Sequence, residues 1–257
     1  MLHLLSIEFL KLQRNRSFLI LTLLFVISIF GINYIILEIV KNIYINDKIT
    51  FSNVWEFVPY ATSYLLVIPG FIMIMHTCSE YTYRTHRQNV IDGLSRNQYV
   101  TTKILFIIIL ALFSTIATII TTLITGISLG IDISFESFRY IYYFFVQATT
   151  YISFAFLFAL LFKKTGLTIG LFFVYSLIIE NILEKYINQI HIGIDKIGEF
   201  LPLSSSEHLL MPDTIQTVMK IANIGNANSE YAYLIMSIIY IGLCYLTCYY
   251  RYEKQDL

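Results

Sequence analysis

Side chains able to do chemistry are scarce in this chain, and the densest group of them lies between Glu80 and Lys103. That stretch carries Glu80, Arg84, Thr85, His86, Arg87, Asp92, Ser95, Arg96 and Lys103 with little apolar material between them. Catalysis would need other patterns. The sequence has no H-E-x-x-H pair for zinc, no paired Glu-Glu for acid–base work and no G-x-x-x-x-G-K-[ST] loop to cradle a phosphate. His76 and His86 flank the start of the stretch without further ligands at metal spacing. Cys78, Cys244 and Cys248 lie in apolar sequence and outline neither a disulfide framework nor a zinc site. The stretch is instead suited to binding. A helix from about Tyr83 to Asp92 puts Arg84, Arg87, Gln88 and Ile91 on one face, a basic surface with one apolar residue that fits a protein partner. Gly93 can end that helix in the left-handed conformation, and Ser95 can cap the next.

The elements that hold this stretch are apolar and long. Six segments, near Ser17–Val40, Tyr60–Cys78, Ile104–Leu129, Tyr140–Phe162, Leu167–Leu183 and Ala232–Tyr250, approach or exceed the ~20 residues a helix needs to cross a bilayer. Glu38 and Glu180 are the only charged residues within them. Hydrophobic residues make up 57% of the 257 and charged ones 13%, too apolar for the single core of a soluble domain. The expected fold is all-α and integral to the membrane, with six transmembrane helices.

Charge sets the expected orientation. With the N-terminus inside, the inner segments collect 11 of the 17 Lys and Arg residues but only five of the 17 acids. Both termini are then cytoplasmic. Trp55, Phe57 and Tyr60, and Tyr140, Tyr142 and Tyr143, read as interface anchors at the starts of the second and fourth spans. Residues 1–16 place Leu2, Leu5, Phe9 and Leu12 on one helical face and Glu8, Lys11 and Asn15 on another, as in a helix lying in the interface. The first span is too long for a cleaved signal peptide and is read as a retained helix.

Within the spans, Pro69-Gly70 predicts a kink in the second. Ala111, Thr115, Thr118, Thr122 and Gly126 form a small-residue stripe on the third, suited to close helix packing, to a translocation path or to a subunit interface. Glu180, near the outer end of the fifth span with Glu184 one turn on, is expected to snorkel to water rather than handle protons or cations. Residues 184–231 form the largest segment outside the spans. Ile197, Phe200, Leu201, Leu203, Leu209, Leu210 and Met211 make it apolar enough to pack or re-enter the bilayer. A second amphipathic helix is expected from Asp213, closed by Gly225.

The interfacial helix, the six spans and the loop 79–103, with its acidic start, Thr and Arg residues, Gly-Leu-Ser-Arg ending and following Lys, resemble the ABC-2 type permease subunits of ABC transporters. The resemblance covers essentially the whole chain and is most specific from Glu80 to Lys103. It implies that Glu80, Arg84, Thr85, Arg87, Gly93, Ser95, Arg96 and Lys103 belong to a coupling loop that docks on an ATPase. It also implies a separate ABC ATPase subunit carrying ATP and Mg, a homodimer or a sister permease, and short re-entrant helices between spans five and six. The expected role is a non-enzymatic permease, an exporter in a bacterial cytoplasmic membrane, with no cofactor of its own and no nucleic-acid partner. Thr115, Thr118, Thr122 and Glu180 remain candidates for a path or interface. A secondary transporter or channel is the second reading, although spans one to three do not mirror four to six. An intramembrane enzyme is the third. The apolar spans name no cargo.

Overall fold

The computed structural model describes residues 8, 16–43, 50–83, 96–190, 197–213, 215–216 and 229–253. Apart from Glu8 and Arg16, the interfacial helix lies outside these residues, as do loop positions 84–95 and most of the second amphipathic helix.

The described chain is all-α, with six helical stretches long and apolar enough to cross a membrane. Span 1 is α1 (Arg16–Ile43). Span 2 is broken into α2 (Phe51–Ser63), a 3-10 turn (Tyr64–Leu66) and α3 (Val67–Thr82). Spans 3 and 4 are α4 (Arg96–Ser128) and α5 (Arg139–Phe162). Span 5 is composite: α6 (Thr165–Val174), a π-helical segment (Tyr175–Ile179) and α7 (Glu180–Ile190). A 3-10 turn (Ile197–Phe200) and the short α8 (Ser204–Leu209) precede span 6, α9 (Glu230–Glu253). The spans run alternately up and down. The end where span 1 starts is called proximal here, and the other end distal.

Span 4 is the axis of the bundle. It packs on spans 2, 3, 5 and 6, and it buries Ala148, Thr150, Ser153, Ala155 and Ala159 along its length. Small residues suit that position, because helices surrounded by hydrocarbon gain little from apolar burial alone and associate through close packing. Spans 1, 5 and 6 turn Leu, Ile and Phe side chains outward, as lipid-facing helices do.

Span 2 departs from the expected boundaries. It begins at Phe51, and its irregular turn falls at Tyr64–Leu66, one turn before Pro69 rather than at Pro69-Gly70. The reason is local. Proline has no N–H to offer Leu65, four residues back, and its ring crowds that carbonyl, so the preceding turn tightens to 3-10 geometry. Gly70 has a different role: a Cβ there would meet Cε1 of Phe172 at 2.8 Å, so it admits span 5. Trp55 is not an interface anchor. It is wholly buried, and its indole N–H donates to the carbonyl of Ser134 at 2.8 Å, which satisfies its one polar atom inside the protein. The stripe on span 3 faces inward. Thr115, Thr118 and Thr122 are buried, and each hydroxyl donates to its own helix, to the carbonyls of Ala111, Ser114 and Thr118.

Among the described glycines the tightest contact is at Gly126, where a Cβ would lie 2.1 Å from Cε2 of Phe51. Gly126→Leu is therefore expected to destabilise the purified protein by roughly 1–3 kcal/mol through overpacking. Gly31→Leu, where a Cβ meets nothing within 4 Å, is expected to change stability by no more than about 0.5 kcal/mol. Thermal unfolding of the two variants in one detergent checks the contrast.

Candidate functional site

At the proximal end, helical periodicity presents two facing pairs of polar side chains. His76 and Glu80 lie four residues apart on the last turns of α3, and Tyr99 and Lys103 four apart on the first turns of α4. Residues 84–95 join the two helices, so these pairs flank both ends of the charged loop. A fifth group, Glu8, comes from the segment before span 1.

The Lys103 ammonium is the centre. Its Nζ lies 3.0 Å from Oε2 of Glu8, 2.9 Å from Oε2 of Glu80 and 3.0 Å from Nε2 of His76. The two carboxylates accept from the ammonium, and His76 Nε2 accepts its third proton in the tautomer that leaves Nε2 bare. Its side chain is 0% exposed. Glu8, His76, Glu80 and Tyr99 are buried as well. The Tyr99 hydroxyl donates to Oε2 of Glu80 at 2.7 Å, and Nζ of Lys103 sits 5.2 Å from the Tyr99 ring. His76 Nε2 also contacts the Glu8 carboxylate, and the proton it carries decides which neighbour it bonds. Glu8, His76 and Glu80 bring their ligand atoms close enough together to hold a metal ion. The lysine occupies that position, so the cluster is an internal salt bridge.

The arrangement can transmit force. A buried charge cannot leave its partners without a large desolvation penalty. Spans 2 and 3 and the N-terminal segment are thereby tied at the base of the loop. Of the loop residues singled out in the sequence, Glu80 and Lys103 meet directly. The Arg96 backbone opens α4, while Arg84, Thr85, Arg87, Gly93 and Ser95 lie outside the described residues. Thr115, Thr118 and Thr122 lie further along span 3, inside the subunit. Glu8, His76 and Tyr99 complete the cluster without having been singled out. Their signal was the pairing of two i,i+4 sets across the loop, with one acid in a basic N-terminal stretch.

Glu180 sits at the distal end, well away from this cluster. It is 2% exposed and does not snorkel. Its Oε1 accepts from the backbone N–H of Leu203 at 2.5 Å and of Ser204 at 3.0 Å, because the chain beyond span 5 folds back over it.

Removing the ammonium leaves two buried carboxylates without their cation. Lys103→Met is expected to cost roughly 3–5 kcal/mol. Adding Glu80→Gln to Lys103→Met should recover part of that loss, which a double-mutant cycle on thermal unfolding measures. Additive losses would show that the cluster does not act as a unit.

A family model described as ABC-2 family transporter protein matches residues 4–179, more than half of the chain. The match takes in Glu8, His76, Glu80, Tyr99 and Lys103 and ends one residue before Glu180. No curated protein matches the chain. With six membrane-spanning helices and this match, the chain belongs to the ABC-2 family of transporter proteins, a multi-pass membrane component of the ABC transport machinery.

Proposed function

We propose that this chain is the permease subunit of an ATP-driven exporter, with its proximal end in the cytoplasm of a bacterial cell and its distal end outside. ATP and Mg belong to a separate ATPase subunit, which docks on the segment between Glu80 and Lys103. A second copy or a sister permease completes the translocation unit.

The observation that carries this reading is the buried ion cluster at the base of the loop. A loop anchored on flexible ends would absorb the displacement of a docked motor. Here Lys103 joins the last turn of span 2 to the first turns of span 3, and Glu8 adds the N-terminal segment. A push on the loop then moves two spans together, which is what alternating access between two packed arrangements requires. Arg84 and Arg87, on the basic face expected for the loop helix, would contact the ATPase and set its register. A secondary transporter driven by an ion gradient is the second reading, and the buried Glu180 is the observation that favours it.

Two measurements separate these readings. Arg84→Glu with Arg87→Glu is expected to lower co-purification of an ATPase at least ~10-fold, equivalent to about 1.4 kcal/mol, with membrane insertion unchanged. Undiminished capture and transport in that variant would remove the coupling assignment. The native cysteines Cys78, Cys244 and Cys248 are all buried, which permits a topology test by single-cysteine labelling. Asn226→Cys should react with a membrane-impermeant thiol reagent from outside intact cells. Reaction only in inverted vesicles would reverse the proposed orientation.

A further inference from the structure

Spans 1 and 3 meet along a seam that is open on its outer side. A groove of about 210 Å³ runs between them. Its lining is apolar except for Thr121, whose hydroxyl donates to the carbonyls of Ala117 and Thr118 on its own helix at 3.1 and 2.9 Å. Ile29 and Thr121 are buried at its base, and the exposed side chains of Phe30, Ile116 and Ile120 form its walls.

The groove lies at membrane depth. Both helices are long and apolar enough to cross a bilayer, so hydrocarbon rather than water covers it. The rings of Phe25 and Phe113, with centroids 6.4 Å apart, close its proximal end. From there it runs distally, and span 3 rises about 12 Å between Phe113 and Thr121. A helix about 10–12 Å across would need several times the available volume along that length. One hydrocarbon chain fits.

Just beyond the distal end of the groove stands an acceptor without a donor. Phe25, Ile29, Asn33 and Ile36 are buried on one face of span 1, and Asn33 is the polar member of that set. Its Nδ2 donates to the carbonyl of Ile29 at 2.9 Å, which holds the amide over the turn that lines the groove. Its Oδ1 is buried and has no hydrogen-bond partner among the described residues. An acceptor left unpaired away from water is costly, and a donor from outside the chain would relieve that cost. Asn33 lies less than one turn before Ile36, where the apolar crossing segment of span 1 ends. A lipid of the distal leaflet joins its chains to its head group near that level.

We propose that this seam is a lipid site. It takes one acyl chain of a distal-leaflet lipid that carries an amide N–H or a hydroxyl at the head of that chain. The chain lies in the groove with its tip against Phe25 and Phe113, and the N–H or O–H donates to Oδ1 of Asn33. Spans 1 and 3 then pack through the lipid where they do not pack directly. The site works whichever way the protein faces and whether or not an ATPase docks.

The test is photolabelling of the full-length protein in phosphatidylcholine vesicles at high lipid-to-protein ratio. One probe is a ceramide with a diazirine near the tip of its acyl chain. The other is a phosphatidylcholine with the same chain and no donor at its head. Adducts located by mass spectrometry should concentrate on residues 26–30 and 113–121, above the level on the exposed Leu177, Ile178 and Ile182 of span 5. The ceramide should label the groove roughly five-fold more than the phosphatidylcholine, the worth of one net hydrogen bond. Asn33→Leu should equalise the two probes. Ala117→Phe should fill the groove and abolish its labelling by both, while span 5 labelling persists and shows that the variant is inserted. Groove labelling no higher than that of span 5 would overturn the proposal, as would a ceramide preference that survives Asn33→Leu. Loss of groove labelling at low lipid-to-protein ratio would overturn it too, by giving the seam to a second copy of the chain.

Discussion

A lysine ammonium wholly removed from water is the interaction on which the proximal half of this protein depends. Lys103 is compatible with its surroundings only because Glu8, His76 and Glu80 converge on it from three parts of the chain. In hydrocarbon or dry protein the cost of separating such charges far exceeds the worth of the pair itself. The cluster therefore acts less as a source of stability than as a geometric requirement. Span 2, span 3 and the N-terminal segment cannot move apart without exposing a charge. This gives the base of the charged loop a stiffness that apolar packing in a membrane would not supply.

The rest of the bundle is organised by contact between small groups. Span 4 buries alanines, serines and threonines where other spans cross it. Gly126 admits Phe51, and Gly70 admits Phe172. Thr118, Thr122 and Thr150 donate their hydroxyls to carbonyls of their own helix, so they pack as compact groups with no polar demand on a neighbour. Among the described residues, the charged side chains that reach across the bundle are found near its two ends. The proximal set is centred on a cation, with two carboxylates around one ammonium. The distal set is rich in carboxylates and phenols around α8 and contains one imidazole.

Much of this was legible in the residues. The six spans follow from long runs of apolar side chains, and the charged loop stands out by contrast. The resemblance of that loop to ABC-2 permeases agrees with the family match over residues 4–179. Partnerships across the chain were not legible. Trp55 reads as an interface anchor because tryptophan commonly takes that place, but Ser134 supplies a buried acceptor and draws it inside. Pro69 places an irregularity at its own position in the sequence, while the displaced hydrogen bond belongs to the turn before it. His76 has no ligand at metal spacing, because its partners lie on another helix and in the N-terminal segment.

Glu180 shows where the division falls. From the sequence alone, an acid three residues from the end of an apolar run belongs near water, and the run itself determines that a helix crosses there. Periodicity, hydropathy and charge asymmetry act over neighbouring residues, so they establish the spans, their number and an expected orientation. Only the tertiary structure decided that Glu180 would be enclosed, because the groups that enclose it come from residues more than twenty positions later in the chain. Lys103 and Glu8 are 95 residues apart and meet for the same reason. A buried charge must be satisfied by whichever groups the folded chain brings to it, and that choice is made by packing across the whole bundle rather than by any local run of residues.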